Sequence, residues 1–151
     1  MTRRNANDTI SIEILIHASP REVWKAWTDP ALILKWFGSE AESKGLKAEL
    51  DMRPGGSYEI SFGASDGSEH TCGGVYIVVR EFSKLVFTWT WKSEPGVESI
   101  VTVLLSPEAD HTRMLFEHAH VGNASKHDYL DGWQGTFSKL GKILGSKETN
   151  C

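Results

Sequence analysis

Residues 84–91 read Lys-Leu-Val-Phe-Thr-Trp-Thr-Trp, and this stretch decides the fold. Side chains alternate between the two faces of a β-strand. The residues that share one face of the predicted strand are Leu85, Phe87, Trp89 and Trp91. A row of large rings on one side of a strand requires a wide apolar partner to cover it.

That partner is predicted near the C-terminal end of the chain. Apolar residues recur there at helical spacings of three and four, at Leu130, Trp133, Phe137, Leu140 and Leu144. This periodicity predicts a helix of roughly 20 residues, about 30 Å long, capped by Asn123 or Ser125. A sheet and a helix that both present rings either pack shut or leave a pocket between them, and the difference decides what the protein can bind.

The segments before the aromatic strand predict a sheet interrupted by two short helices. Isoleucines alternate with other residues through 10–16, which indicates a half-buried strand. Residues 19–22 form a capping box with proline at the first helical position, and Asp29-Pro30 repeats the device, so a second helix should run to about Trp36. The apolar face of the first helix comprises Val23, Trp24 and Trp27. A run of about six antiparallel strands then leads to the last helix, which makes the fold class α+β.

Composition limits the classes of function. The net charge of −4, from 16 basic and 20 acidic residues, gives no support for nucleic-acid binding. The N-terminal segment lacks the apolar region of a signal peptide, and the apolar runs are too short to span a membrane. We therefore expect a cytoplasmic protein with no membrane partner. Residues 1–151 should form one domain, ordered from about 8 to 146, with Cys72 and Cys151 as free thiols.

A series of short motifs along the chain resembles a known family. In this order and at these spacings they are similar to the bacterial homologues of the activator of heat-shock protein 90 ATPase, C-terminal-domain type. This family lies within the helix-grip superfamily of the START domains and the birch-pollen allergen. The resemblance extends from about Ile10 to Leu144. The motifs that carry it are ASPREVWKAWTDP at 18–30, WFG at 36–38, RPGG at 53–56, GGVY at 73–76, LVFTW at 85–89, VTV at 101–103 and GW at 132–133.

The resemblance implies a helix-grip fold, in which a curved seven-stranded antiparallel sheet grips the long C-terminal helix and leaves a cavity between them. It also implies a range of functions. The first hypothesis is that the protein binds an apolar or aromatic small molecule in an internal cavity and has a stress-related role, as some members of the family do. The alternatives are a cochaperone that activates the heat-shock protein 90 ATPase, and a cyclase-like or hydrolase-like enzyme that uses His118. No cofactor is implied, and both a monomer and a homodimer fit the fold.

The predicted ligand-binding residues are large side chains expected to face the cavity, together with one histidine as a polar group: Trp36, Phe62, Phe87, Trp89, Trp91, Phe116, His118, Trp133 and Phe137. The alternative interpretation is that the rings fill the core and leave no cavity. No catalytic residue and no metal ligand is assigned, because no Ser-His-Asp or Cys-His order stands out.

His118 and His120 lie two residues apart in the last predicted strand, so their side chains face the same way. Three interpretations remain open at this point. His118 is a polar handle that binds a ligand or acts as an acid or base near neutral pH. It is a metal ligand, although the only guesses for a third ligand are Cys72 and Glu117. Or it is a hydrogen-bonded core residue, with His120 at the exposed end of the strand.

Overall fold

The computed structural model describes residues 2–4, 9–38, 44–64, 66–94, 96, 98–119 and 129–144. Over these ranges strands and helices are grouped separately along the chain. The elements are β1 (Thr2–Arg4), β2 (Ile10–Ile16), α1 (Pro20–Thr28), α2 (Pro30–Ile33), β3 (Lys44–Leu50), β4 (Ser57–Gly63), β5 (Glu69–Arg80), β6 (Lys84–Trp91), β7 (Glu98–Glu108), β8 (His111–Ala119) and α3 (Tyr129–Leu144).

The strands form one antiparallel sheet in the order β1-β2-β8-β7-β6-β5-β4-β3. Strands β2 to β8 make up the curved seven-stranded sheet that the sequence predicts, and the α+β class is confirmed. The short strand β1 adds an eighth member, with Arg3 opposite Ser11, whereas the polar N-terminal segment was predicted to lie outside the ordered part. The open edge of β2 explains this difference, because its unpaired N–H and C=O groups can accept any extended segment.

Strand β6 alternates as predicted. Leu85, Phe87, Trp89 and Trp91 are buried, whereas the residues between them are only half-buried. Its neighbours fix the register on both sides, with Phe87 opposite Tyr76 of β5 and Val101 of β7. The ring-bearing face therefore lies in the middle of the sheet, where paired strands hold each ring in place.

The first helix begins as the capping box predicts. The Glu22 backbone N–H donates to Ser19 Oγ at 3.2 Å, and the Ser19 N–H donates to Glu22 Oε1 at 3.0 Å. The reciprocal bonds satisfy donors that the first helical turn leaves without intrahelical partners. They fix the start of α1, and so they set the direction in which Trp24 and Trp27 enter the core.

The second helix is shorter than predicted. It ends at Ile33 rather than near Trp36. The next residues form a narrower helical turn. The Lys35 N–H donates to Leu32 O at 3.0 Å, and the Trp36 N–H donates to Ile33 O at 3.3 Å. Bonds three residues apart are typical of a 3₁₀-type turn, which brings Trp36 into the core in fewer residues than an α-helix would need.

Helix α3 packs on the ring-bearing face of the sheet. Trp133, Phe137 and Leu140 are buried, in agreement with the predicted periodicity. The predicted caps Asn123 and Ser125, and the side chain of Leu130, lie outside the described residues. None of the helices in the described ranges is long and apolar enough to cross a membrane.

Cys72 lies in β5 as a buried free thiol. Burial raises its pKa well above the ordinary value, so the thiol stays protonated and behaves as a small apolar group. Cys151 lies outside the described residues.

Candidate ligand-binding site

The sequence-predicted site residues come together on the concave face of the sheet. All nine are buried, with exposed fractions between 0% and 8%. The Trp133 ring from α3 lies 4.5 Å from the Phe116 ring and 5.1 Å from the Trp89 ring, measured between centroids. On the other side, Trp91 contacts Trp89 at 5.3 Å and Phe62 at 6.0 Å. Among the described residues these rings pack against each other at ordinary aromatic contact distances.

One end of this core is built around His118 and is called the His118 end. It comprises His118, Ser99, Trp89 and Trp133. Trp133 Nε1 donates to His118 Nδ1 at 2.9 Å, and Ser99 Oγ lies 2.6 Å from His118 Nε2. Ser99 Oγ also donates to the Trp89 carbonyl at 3.4 Å. An indole nitrogen can only donate, so Nδ1 accepts and the proton of the neutral ring lies on Nε2.

This arrangement fixes the chemistry of His118. Burial lowers its pKa to about 3, so the ring is neutral at physiological pH. Its Nδ1 lone pair accepts from Trp133, and its Nε2 proton points to Ser99, the reverse of what a base that activates a serine requires. The geometry therefore favours the hydrogen-bonded core residue among the three interpretations.

A metal centre finds no support in the part of the chain that the structure describes. There, no group of three or more His, Cys, Asp or Glu side chains is placed to hold a metal ion. Cys72 and Glu117 were the guesses for a third ligand, and neither is suited to this role. Cys72 is buried as a thiol, and Glu117 is exposed. His120 lies outside the described residues.

The other end of the core contains a small cavity, called the pocket. Its volume is about 10 Å³ for the centre of a water-sized sphere, which is room for about one water molecule. Its lining is uncharged and mostly aromatic: Trp27, Ile33, Phe37, Tyr58, Ile60, Tyr76, Leu85 and Phe87. Of the predicted site residues, Phe87 lines this pocket, and the other eight do not.

Polar groups at the pocket are neutral. The Tyr58 hydroxyl donates to the Thr88 carbonyl at 2.6 Å. Burial raises the pKa of Tyr76 far above its ordinary value, so its phenol stays protonated. With no charged group in its lining, the pocket suits an uncharged molecule, because an ion moved there from water would lose its hydration without compensation.

Trp27 was not among the residues predicted for the site. Trp27 lies at the centre of the aromatic core, with its ring 4.9 Å from that of Trp36, 6.2 Å from Phe87 and 6.1 Å from Phe137. It is 2% exposed. Its position on the apolar face of α1 was the available signal, but that signal does not separate Trp27 from Trp24, which packs against Phe82 instead.

A curved antiparallel sheet that holds a C-terminal helix on its ring-bearing face defines a helix-grip protein. The sequence profile of the family described as Activator of Hsp90 ATPase homolog 1-like protein matches residues 17–145. The chain therefore belongs to this family, as the motifs predicted. A search of curated proteins finds no match.

Solved structures from bacteria share the fold. A protein from Nitrosomonas europaea superposes with a TM-score of 0.80 at 22% identity, over 96% of this chain and 99% of the other. A protein from Chromobacterium violaceum gives 0.77 at 27% identity, over 90% and 96% of the two chains. CalU16 from Micromonospora echinospora gives 0.68 at 25% identity, over 99% and 85%.

Proposed function

We propose that the protein binds an uncharged, apolar small molecule in the pocket. The observation that carries this proposal is the pocket itself, an uncharged aromatic cavity between α1, α2 and strands β4–β6. Small-molecule sites are typically apolar and aromatic, with a few polar groups that orient the ligand. The family supports the proposal, because proteins with this fold typically bind hydrophobic ligands.

Binding requires the pocket to enlarge. A cavity that holds a benzene-sized ligand has a volume of roughly 150 Å³, whereas the pocket has room for about one water. One wall consists of paired strands, which the sheet hydrogen bonds hold in register. The opposite wall comprises Ile33 at the end of a four-residue helix and Phe37 in the following turn. We expect the wall at 30–38 to move, and the free energy of that movement to weaken the apparent affinity.

The test is a titration with benzene, indole and naphthalene, followed by methyl NMR and thermal unfolding. We expect chemical-shift changes at the pocket methyls of Ile33, Ile60 and Leu85. The buried methyls of Ile10, Ile12 and Leu140 serve as internal controls, because these residues do not line the pocket. At a ligand concentration of 100 Kd, the stabilisation of about 2.7 kcal/mol should raise Tm by about 5–10 °C. Shifts confined to the control methyls, or no change in either measurement, would contradict the proposal.

A second candidate function is contact with a chaperone through the outer surface. Two large apolar residues, Val75 (42% exposed) and Ile77 (47%), lie two positions apart on β5. The description of the family refers to activation of the Hsp90 ATPase. The test compares the ATPase rate of the bacterial chaperone with the wild-type protein and with a Val75→Ser/Ile77→Ser variant. An unchanged rate with wild-type protein in excess excludes this role, and stimulation that survives both substitutions excludes this surface.

A further inference from the structure

Three buried indoles in the core differ in how their N–H groups are bonded. Trp36 Nε1 donates to the Ala26 carbonyl at 3.0 Å, and Trp133 Nε1 donates to His118 Nδ1 at 2.9 Å. Trp27 Nε1 is buried and has no acceptor among the described residues. Trp27 is also the indole that lines the pocket.

A buried donor without an acceptor is unfavourable. In the unfolded chain the N–H group is hydrogen-bonded to water, and losing that bond on burial costs about 1–3 kcal/mol. A buried donor without an acceptor in a native protein therefore requires a specific explanation. The Trp27 ring itself is well packed, because it makes an edge-on contact with the ring of Trp36 at an interplanar angle of 77°. The packing therefore accounts for the ring of Trp27 but not for its N–H group.

A single water molecule is a poor partner for this donor. The pocket has room for about one, but a buried water usually makes about three hydrogen bonds, and the lining is mostly apolar. The Tyr58 hydroxyl, one of the few polar groups of the lining, already donates to Thr88 O. An oxygen attached to an apolar body would accept from Trp27 and also fill the apolar space around it.

We infer that Trp27 Nε1 is the hydrogen-bond donor that selects the ligand, and that the ligand class is uncharged apolar molecules with a carbonyl oxygen, such as aromatic ketones, quinones and esters. This inference rests on the proposed ligand-binding function and names the chemistry of the ligand. The selection arises because a hydrocarbon of the same shape leaves the Trp27 N–H unpaired in the complex, whereas a carbonyl satisfies it.

The experiment uses two compounds of matched shape, acetophenone and α-methylstyrene, in which a carbonyl oxygen replaces a terminal methylene group. The affinity ratio, Kd of α-methylstyrene divided by Kd of acetophenone, is measured for three proteins. These are the wild type, Trp27→Phe, and the control Trp24→Phe, which makes the same change on the same helix outside the pocket. Comparing this ratio between the three proteins cancels the difference in hydration between the two compounds, because that difference is the same for each protein.

We expect the ratio to fall about five-fold or more in Trp27→Phe and to stay at the wild-type value in Trp24→Phe. This corresponds to the loss of one net hydrogen bond. A second measurement does not depend on the variants folding. In the wild-type protein, the Trp27 indole ¹H resonance, assigned through its contacts with the ring of Phe87, should move downfield with acetophenone and not with α-methylstyrene.

The outcomes separate the two proposals. If both compounds shift the methyls of Ile33, Ile60 and Leu85 but the ratio is the same in wild type and Trp27→Phe, the inference about Trp27 is wrong and the pocket remains a ligand site. If the Trp27 indole resonance responds equally to both compounds, the inference is also wrong. If neither compound affects any pocket methyl, the ligand-binding function fails, and the inference fails with it.

Discussion

The two ends of the aromatic core are built from the same kinds of residue but satisfy their polar groups differently. At the His118 end, an indole, an imidazole and a hydroxyl form a continuous chain of hydrogen bonds from Trp133 to the Trp89 carbonyl. At the pocket end, the Trp27 N–H has no acceptor among the described residues and a void remains. A satisfied buried network holds one arrangement of side chains, whereas an unsatisfied group beside a void favours rearrangement or a ligand. We therefore propose a structural role for the first end and ligand binding for the second.

The largest expected effect comes from acid, which should break the His118 end. The unfolded chain takes up a proton at His118 below pH 6.5, whereas the folded protein does so only near pH 3, because burial disfavours the charged ring. Stability from this group is complete above pH 6.5 and is lost as the pH falls towards 3. The loss should reach on the order of 4 kcal/mol. Urea unfolding across this range measures it.

The control for this effect is His118→Asn, because asparagine keeps a hydrogen-bond acceptor and does not titrate. Carboxylates titrate alike in both proteins, so the difference between the two pH profiles isolates His118. We expect the wild-type profile to fall more steeply below pH 6.5. Parallel profiles would show that His118 takes up its proton at an ordinary pKa and that the His118 end is open to water.

The second largest effect is the difference in stability between variants of the two indoles, Trp133 and Trp27. Trp133→Phe and Trp27→Phe remove the same atoms from buried rings, but only the first breaks a hydrogen bond and leaves the His118 Nδ1 acceptor unpaired. We expect Trp133→Phe to lower the free energy of unfolding by about 1–3 kcal/mol more than Trp27→Phe does. Urea unfolding at pH 7.5 gives both values. Equal losses would mean that the Trp27 N–H makes a bond of similar strength, and the contrast between the two ends would disappear.

Much of the fold could be predicted from the sequence because local patterns determine it. Alternation in 84–91 predicts the buried face of β6, and the capping box at Ser19 predicts the start of α1. The family could be predicted for the same reason, since its motifs at 18–30 and 85–89 lie in these elements. Such features depend on neighbours in the chain, which a single sequence displays directly.

The polar groups of the site could not be predicted in this way. In the sequence Trp27 and Trp36 are both apolar helix-face residues, yet one indole finds the Ala26 carbonyl and the other finds no acceptor. The difference depends on shifts of tenths of an ångström between distant elements, because hydrogen bonds weaken steeply with distance and angle. The pairing of His118 with Ser99 depends in the same way on the register of β7 and β8. The volume of the pocket depends on the sum of its side-chain volumes, which no local pattern contains.

The smallest effect is expected for substitutions that change only the volume of a buried side chain. Ile60→Val removes one methylene from the pocket lining, and Ile12→Val removes one from a buried position elsewhere on the sheet. Each should lower the free energy of unfolding by about 0.5–1.5 kcal/mol. Only the first gives a ligand more room, so only Ile60→Val should change the affinity for benzene. Because one methylene of extra apolar contact is worth about 0.8 kcal/mol, we expect Kd to fall up to about four-fold.

The Ile12→Val protein makes this prediction decisive, because both substitutions loosen the core to a similar extent. An equal gain in benzene affinity in both variants would mean that general loosening admits the ligand, and that the ring-bearing face as a whole is the site. A gain confined to Ile60→Val means that the ligand occupies the pocket end, where space is the limiting factor. The His118 end would then act as the fixed side against which the pocket opens, because the side chains of Trp133, His118 and Ser99 are already hydrogen-bonded to one another.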